Sequence, residues 1–134
     1  VVLEVSVLAQ RAAVVARLNT GPAGSAKAYT VAELDELAVL PDLYTEVHVT
    51  ERVSEVGRFG GPSDASAWRI FLRFVARDEE NAQTMRHRAG ANLVDASLVV
   101  EGRETTVITR SAADDPIAPD DGWFSGTSEF IYST

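Results

Sequence analysis

There is no cysteine in this sequence, only one methionine and two histidines, and just 12 basic residues against 20 acidic ones among 134 positions. The missing cysteine excludes disulfides, thiolate metal sites and a cysteine nucleophile. The two histidines, His48 and His87, show no HxxxH or HExxH spacing, so neither is a convincing metal ligand. No run approaches the roughly 18 consecutive apolar residues of a membrane helix. The opening Val1-Val2-Leu3-Glu4-Val5 lacks the basic start and long apolar stretch of a signal peptide, and the chain reads as soluble and intracellular. A formal charge of −8 leaves no basic excess to displace counterions from a phosphate backbone, which argues against generic nucleic-acid binding.

What is present suits one domain. Hydrophobic residues make up 46% and charged residues 24%, the balance of a globular chain rather than a disordered one. The length is enough to bury a single core without staples. Charge is unevenly spread: residues 1–57 hold eight acids and four bases, residues 58–110 seven acids and eight arginines, and residues 111–134 five acids and no base. An acidic face meeting an arginine-bearing face suits self-association; plain solvation of the surface accounts for the same counts.

Hydrophobic periodicity sets out the elements. Val5, Leu8, Ala9, Ala12, Val15 and Ala16 recur at helical spacing and predict a helix over residues 3–18 with that stripe as its apolar face; Asn19-Thr20-Gly21-Pro22 ends it. Ala28-Tyr29 suggests a short edge strand. Thr30-Val31-Ala32-Glu33 fits a capping box opening a short helix to about residue 40; its Val39-Leu40-Pro41 end reads equally as extended, since the residue before proline avoids helical backbone. Residues 44–56 alternate like a strand, and the glycine-rich run 57–64 reads as a projecting hairpin loop. From Ala67 the alternation is clearest: Trp68, Ile70, Leu72, Phe74 and Ala76 share one face, and Arg69, Phe71, Arg73, Val75 and Arg77 the other. Asp78-Glu79-Glu80 opens a second long helix where the macrodipole favours acids, with Ala82, Met85, Ala89 and Leu93 as its stripe. Residues 97–100 and 104–110 read as two strands around a Glu101-Gly102-Arg103 turn. Residues 116–122 read as a rigid acidic loop, and residues 123–133 as a last strand. The order gives an α+β single domain, a mostly antiparallel sheet packed with an N-terminal helix and a central helix.

No catalytic pattern emerges. Gly122-Trp123-Phe124-Ser125-Gly126 is not a nucleophile elbow, and the Gly57/Gly60/Gly61 loop lacks the Lys-Ser/Thr of a phosphate loop. His48 and His87 read as surface residues of a strand and a helix. Asp114, Asp115, Asp120 and Asp121 are a possible hard-cation cluster by chemistry, but they lack EF-hand spacing, Pro116 and Pro119 interrupt them, and a solvated loop explains them better. Arg69, Arg73 and Arg77 repeat about every 13 Å along one strand face, interleaved with Phe71 and Val75. Such a face suits a protein interface, because arginine stems cover apolar surface while their heads reach carboxylates; a face covered by the chain's own helix is the equal alternative. Trp68, Trp123 and Phe124 read as core anchors.

Phe59-Gly60-Gly61, Ala67-Trp68-Arg69-Ile70, Phe74-Val75-Ala76-Arg77, Asn81-Ala82 and Met85-Arg86, followed by Ile117-Ala118-Pro119-Asp120-Asp121-Gly122-Trp123-Phe124-Ser125-Gly126, resemble the tail terminator proteins of long-tailed actinobacterial phages. The resemblance covers most of residues 44–134, while residues 1–43 match in pattern only. It implies a structural protein without catalysis or cofactor. Such a protein forms a six-membered homo-oligomeric ring on the head-proximal end of the tail tube, halts tube growth, and offers the surface on which the head–tail connector or stopper docks. DNA passes through the lumen without sequence-specific binding, no membrane is involved, and the place is the virion neck, assembled in the host cytoplasm. Under this resemblance Arg58 and Phe59 project on the hairpin, and Arg69, Phe71, Arg73, Arg77, Asp114, Asp115, Asp120 and Asp121 are the candidate ring contacts. Two other readings stand beside it: another neck component, such as a head–tail stopper or joining protein, and a small α+β enzyme or ligand-binding module built around His48 and residues 114–121.

Overall fold

The computed structural model describes residues 2–52 and 67–134, with side chains from residue 7. Arg58, Phe59 and the rest of the predicted hairpin loop lie outside the described residues. Helix α1 spans Val2–Thr20, strand β1 Ala28–Thr30, helix α2 Val31–Glu36, strand β2 Leu43–Arg52, strand β3 Ala67–Ala76 and helix α3 Glu79–Leu93. Short strands β4 (Val99–Val100), β5 (Arg103–Glu104), β6 (Thr109–Arg110) and β7 (Ala118–Asp120) precede the long β8 (Trp123–Ser133). Among the described residues the main sheet runs β1-β2-β3-β8-β6, with β7 also on β8; β4 and β5 form a separate small ribbon. Only β1 and β2 are parallel in the main sheet.

Strand β3 sits at the centre because both its neighbours pair with it along its full length, Leu43↔Ala76 to Arg52↔Ala67 on one side and Ala67↔Ser133 to Ala76↔Phe124 on the other. Its alternation decides which face is inside. Trp68, Ile70, Leu72 and Phe74 are buried with Val47, Val49, Phe130 and Tyr132 from the flanking strands, beneath Val14 and Leu18 of α1 and Met85, Ala89 and Leu93 of α3. Each large side chain so buried contributes about 1.5–3 kcal/mol.

The two long helices fare differently against expectation. In α3 the expected stripe of Ala82, Met85, Ala89 and Leu93 is buried, and Asp78 caps the helix by accepting from the Asn81 N–H at 2.8 Å. In α1 the buried face is not the expected one. Val14, Leu18 and Gln10 turn inward, whereas Leu8, Ala12 and Ala16 are exposed and Val15 is half-buried. The helix is apolar nearly all round, so periodicity marks more than one stripe. The sheet then selects the stripe that fills the space over Trp68 and Tyr132.

Other corrections are local. Helix α2 has its capping box, with Glu33 N–H donating to Thr30 Oγ1 and Thr30 N–H to Glu33 Oε1, but it stops at Glu36. The expected strand over 104–110 is broken into β5 and β6, because Ile108 leaves the ladder to exchange backbone bonds with Asp95 and Ala96. The expected acidic loop contains β7, which turns into β8 through Asp121 and Gly122, at φ 50° and 84°. Two successive left-handed residues make this a tight hairpin of the kind that Asp-Gly favours.

Candidate interaction surface

Among the described residues, the second face of the sheet is covered at one end only. Helix α2 lays Leu34 over Tyr44 and Val75, with Tyr29 and Trp123 packed around them. Burial pushes the Tyr44 phenol up, against the opposing pull of the Arg73 charge. Beyond α2 no other described element covers the face, and there the register interleaves cations, acids and aromatics. Arg69 Nε lies 2.7 Å from Glu129 Oε1. Arg73 reaches Asp120 of β7 at 3.1 Å and Glu46 of β2 at 3.7 Å. Glu46 Oε1 lies 2.7 Å from His48 Nε2, and the His48 ring tilts against Phe71 with centroids 6.1 Å apart. Phe71 is 38% exposed at the centre of this patch. Arg77, just past the strand, stacks over Trp123 at 3.5 Å.

Residues 111–117 run as a strap along the far edge of β8. Its acids are committed to partners. Asp114 accepts from Ser128 Oγ at 2.6 Å and from Arg110 Nη1 at 3.0 Å, and Asp115 accepts from Thr127 Oγ1 at 2.7 Å. Arg86 rises from α3 to hold the strap and strand together: its Nη2 donates to the carbonyls of Asp115 and Thr127, and its Nε lies 3.7 Å from Asp114. Burial lowers the Arg86 pKa from its usual value, with the Asp114 carboxylate opposing the shift. A Cβ at Gly126 would stand 2.6 Å from Arg86 Nη2 and 2.8 Å from Ile117 Cγ1, so glycine there is what lets the guanidinium through.

No family model and no curated protein matches the sequence. The fold, however, is shared with a virion chain. That chain belongs to the virion of a native gene transfer agent particle; it is 14% identical, superposes with a TM-score of 0.69, and the match covers 92% of each chain. A further solved chain, 12% identical, gives a TM-score of 0.57 over 98% of this chain and 92% of its own.

The structure therefore gathers Arg69, Phe71, Arg73, Arg77 and Asp120 on one sheet face, and carries Asp114 and Asp115 to the β8 edge. Asp121 stands in the β7–β8 turn. Trp68 is core, as expected, but Trp123 is half-buried on the outer face and Phe124 is half-buried too. The reason is the register: Trp123 falls opposite the covered alternation of β8, where α2 shields it only in part. Among the described residues no three His, Asp or Glu side chains converge as a metal site, and His87 stands exposed on α3. Sequence reasoning missed Glu46, whose carboxylate links His48 to Arg73, and Arg86. For Arg86 the available signal was an arginine next to Met85 of the α3 stripe, with Gly126 far along the chain, a pairing that only the folded chain reveals.

Proposed function

We propose that the chain is a structural component of a phage-type virion, and specifically a tail terminator. Six copies close into a ring on the head-proximal end of the tail tube, stop its polymerisation and present the surface on which the head–tail connector or stopper docks, with DNA passing through the lumen. The observation that carries this reading is the likeness to the gene transfer agent virion chain along 92% of both lengths. The half-open sheet face adds support. A patch that alternates ion pairs with a 38% exposed phenylalanine has the composition of an assembly contact, with an aromatic anchor amid polar rim. Arg69, Phe71, Arg73, Arg77, Asp120 and Asp121 are its contact residues. Asp114 and Asp115 serve it indirectly, by fixing the strap beside β8.

Electron microscopy of tail-tube protein polymerising with and without this chain tests the proposal. Tubes capped at one end, with growth arrested there and a ring of density at the cap, are the expected result. Tubes that keep growing uncapped would refute the terminator role. In that case, binding to a purified connector would favour a stopper or joining protein in the same neck.

A further inference from the structure

Among the described residues, helix α1 leaves an apolar face without a cover. Leu8, 48% exposed, lines an open groove of about 410 Å³ together with Ala12, Val15 and Ala16, and Thr30 and Glu33 at the start of α2 form the opposite wall. Two charged groups line the groove, Arg11 and Glu33. Glu33 is engaged in the capping box, whereas none of the ion pairs among the described residues uses Arg11.

The same chain also displays an apolar segment in need of a cover. Between α2 and β2, Leu37 is 39%, Val39 82% and Leu40 43% exposed. Exposed acids flank it: Asp35, Glu36 and Asp42, all outside the ion pairs of the described residues. An apolar groove beside an uncommitted cation and an apolar segment between uncommitted anions are complementary in both respects. They are different surfaces of one chain, so a head-to-tail union between copies is heterologous and closes into a ring where its rotation allows.

We infer that residues 37–40 of one copy dock in the α1 groove of the next copy, Val39 entering between Leu8, Ala12 and Val15, with Arg11 meeting the flanking acids. This contact rests on the ring reading and names a second subunit junction beside the sheet face. Hydrophobic burial drives it, since both partners give up water-exposed apolar surface. The charges set its orientation and suppress wrong partners.

The absence of cysteine makes the test clean. Two single-cysteine chains are prepared, Ala12→Cys and Val39→Cys, one carrying a mass tag, then mixed, allowed to assemble alone and on tail-tube ends, and oxidised. A tagged–untagged disulfide heterodimer is expected, and it can arise only between copies. Val39→Asp, on a side chain too exposed to matter for folding, is expected to weaken self-association at least about thirtyfold, the scale of an interface anchor. Arg11→Glu should weaken it a few-fold and Glu36→Arg should restore it. Assemblies that form normally from the cysteine chains without the cross-link, or a Val39→Asp chain that assembles as well as the parent, would overturn the docking and leave the ring intact. A chain that stays monomeric alone and on tube ends would bring down the ring reading, and this contact with it.

Discussion

Single side chains hold much of this fold at places where the backbone runs out of partners. Asn92, fully buried, donates from Nδ2 to the carbonyls of Leu18 and Gly24 at 3.1 and 2.8 Å and accepts from the Ala23 N–H at 2.9 Å. It thus closes the turn after α1 onto α3, and a side chain at Gly21 would land on its amide. Asn92→Ala removes the partner of the Ala23 N–H and of the Gly24 carbonyl, while the Leu18 carbonyl keeps the Ala26 N–H, and is expected to cost about 1–3 kcal/mol, read as a lower urea midpoint with an unchanged slope. Tyr132 is the second such residue. Its hydroxyl donates to the buried Gln10 Oε1 at 2.6 Å, and burial holds its pKa well above the usual phenol range. The unfolded chain gives up that proton near pH 10 while the folded chain keeps it, so above about pH 10 the unfolded state binds fewer protons and stability falls as pH rises. Below that range the contribution is fully present. Tyr132→Phe should cost about 1–2 kcal/mol at neutral pH through the lost bond and flatten the alkaline decline; urea titrations at about pH 8 and about pH 11 separate the two effects.

Elements here are placed by how their edges and faces are closed. The outer edge of β1 is sealed by a side chain: Asn19 accepts from the Ala28 N–H at 2.8 Å and donates to its carbonyl at 3.1 Å, so a strand edge that invites pairing is blocked within the chain. On the opposite side the strap over β8 depends on Arg86 passing Gly126. Gly126→Ala should displace that guanidinium, cost about 1–3 kcal/mol through overpacking, and raise hydrogen exchange in residues 111–117 well before global unfolding. Much at this scale was legible: β3 by strict alternation, β8 as a last strand, α3 by its stripe and the acids Asp78-Glu79-Glu80 at its start, and α2 by its capping box. The β7–β8 hairpin was legible too, since Asp121-Gly122 is a strong tight-turn signal; the two prolines and four acids around it spoke louder for a loop. The inward face of α1 was not legible, because a helix apolar on several sides carries no mark of which side the sheet will cover.

Among the described residues, apolar surface lies open at the sheet face around Phe71, in the α1 groove and at residues 37–40. A net charge of −8 opposes non-specific association of the chain. Phe71→Thr, which keeps a strand-favouring side chain, should cost about 1–2 kcal/mol of thermal stability, from the covered part of the ring. It should weaken assembly or tube-end binding by at least about tenfold; melting and sedimentation on the same preparation decide whether the patch serves folding or assembly.

By itself the sequence determined the class of the molecule and its local grammar. Composition excluded thiol chemistry, alternation put Trp68, Ile70, Leu72 and Phe74 on one face and the arginines on the other, and caps and breakers set most element ends, since these follow from backbone sterics and neighbours a few residues apart. Tertiary structure alone decided what lies far apart in the chain and close in space. It set Arg73 between Glu46 and Asp120, threaded Arg86 past Gly126, seated Asn92 under the turn after α1, and turned one apolar face of α1 inward while leaving the other bare. Such pairings depend on sheet register and helix rotation, and those are chosen by the packing of the whole core.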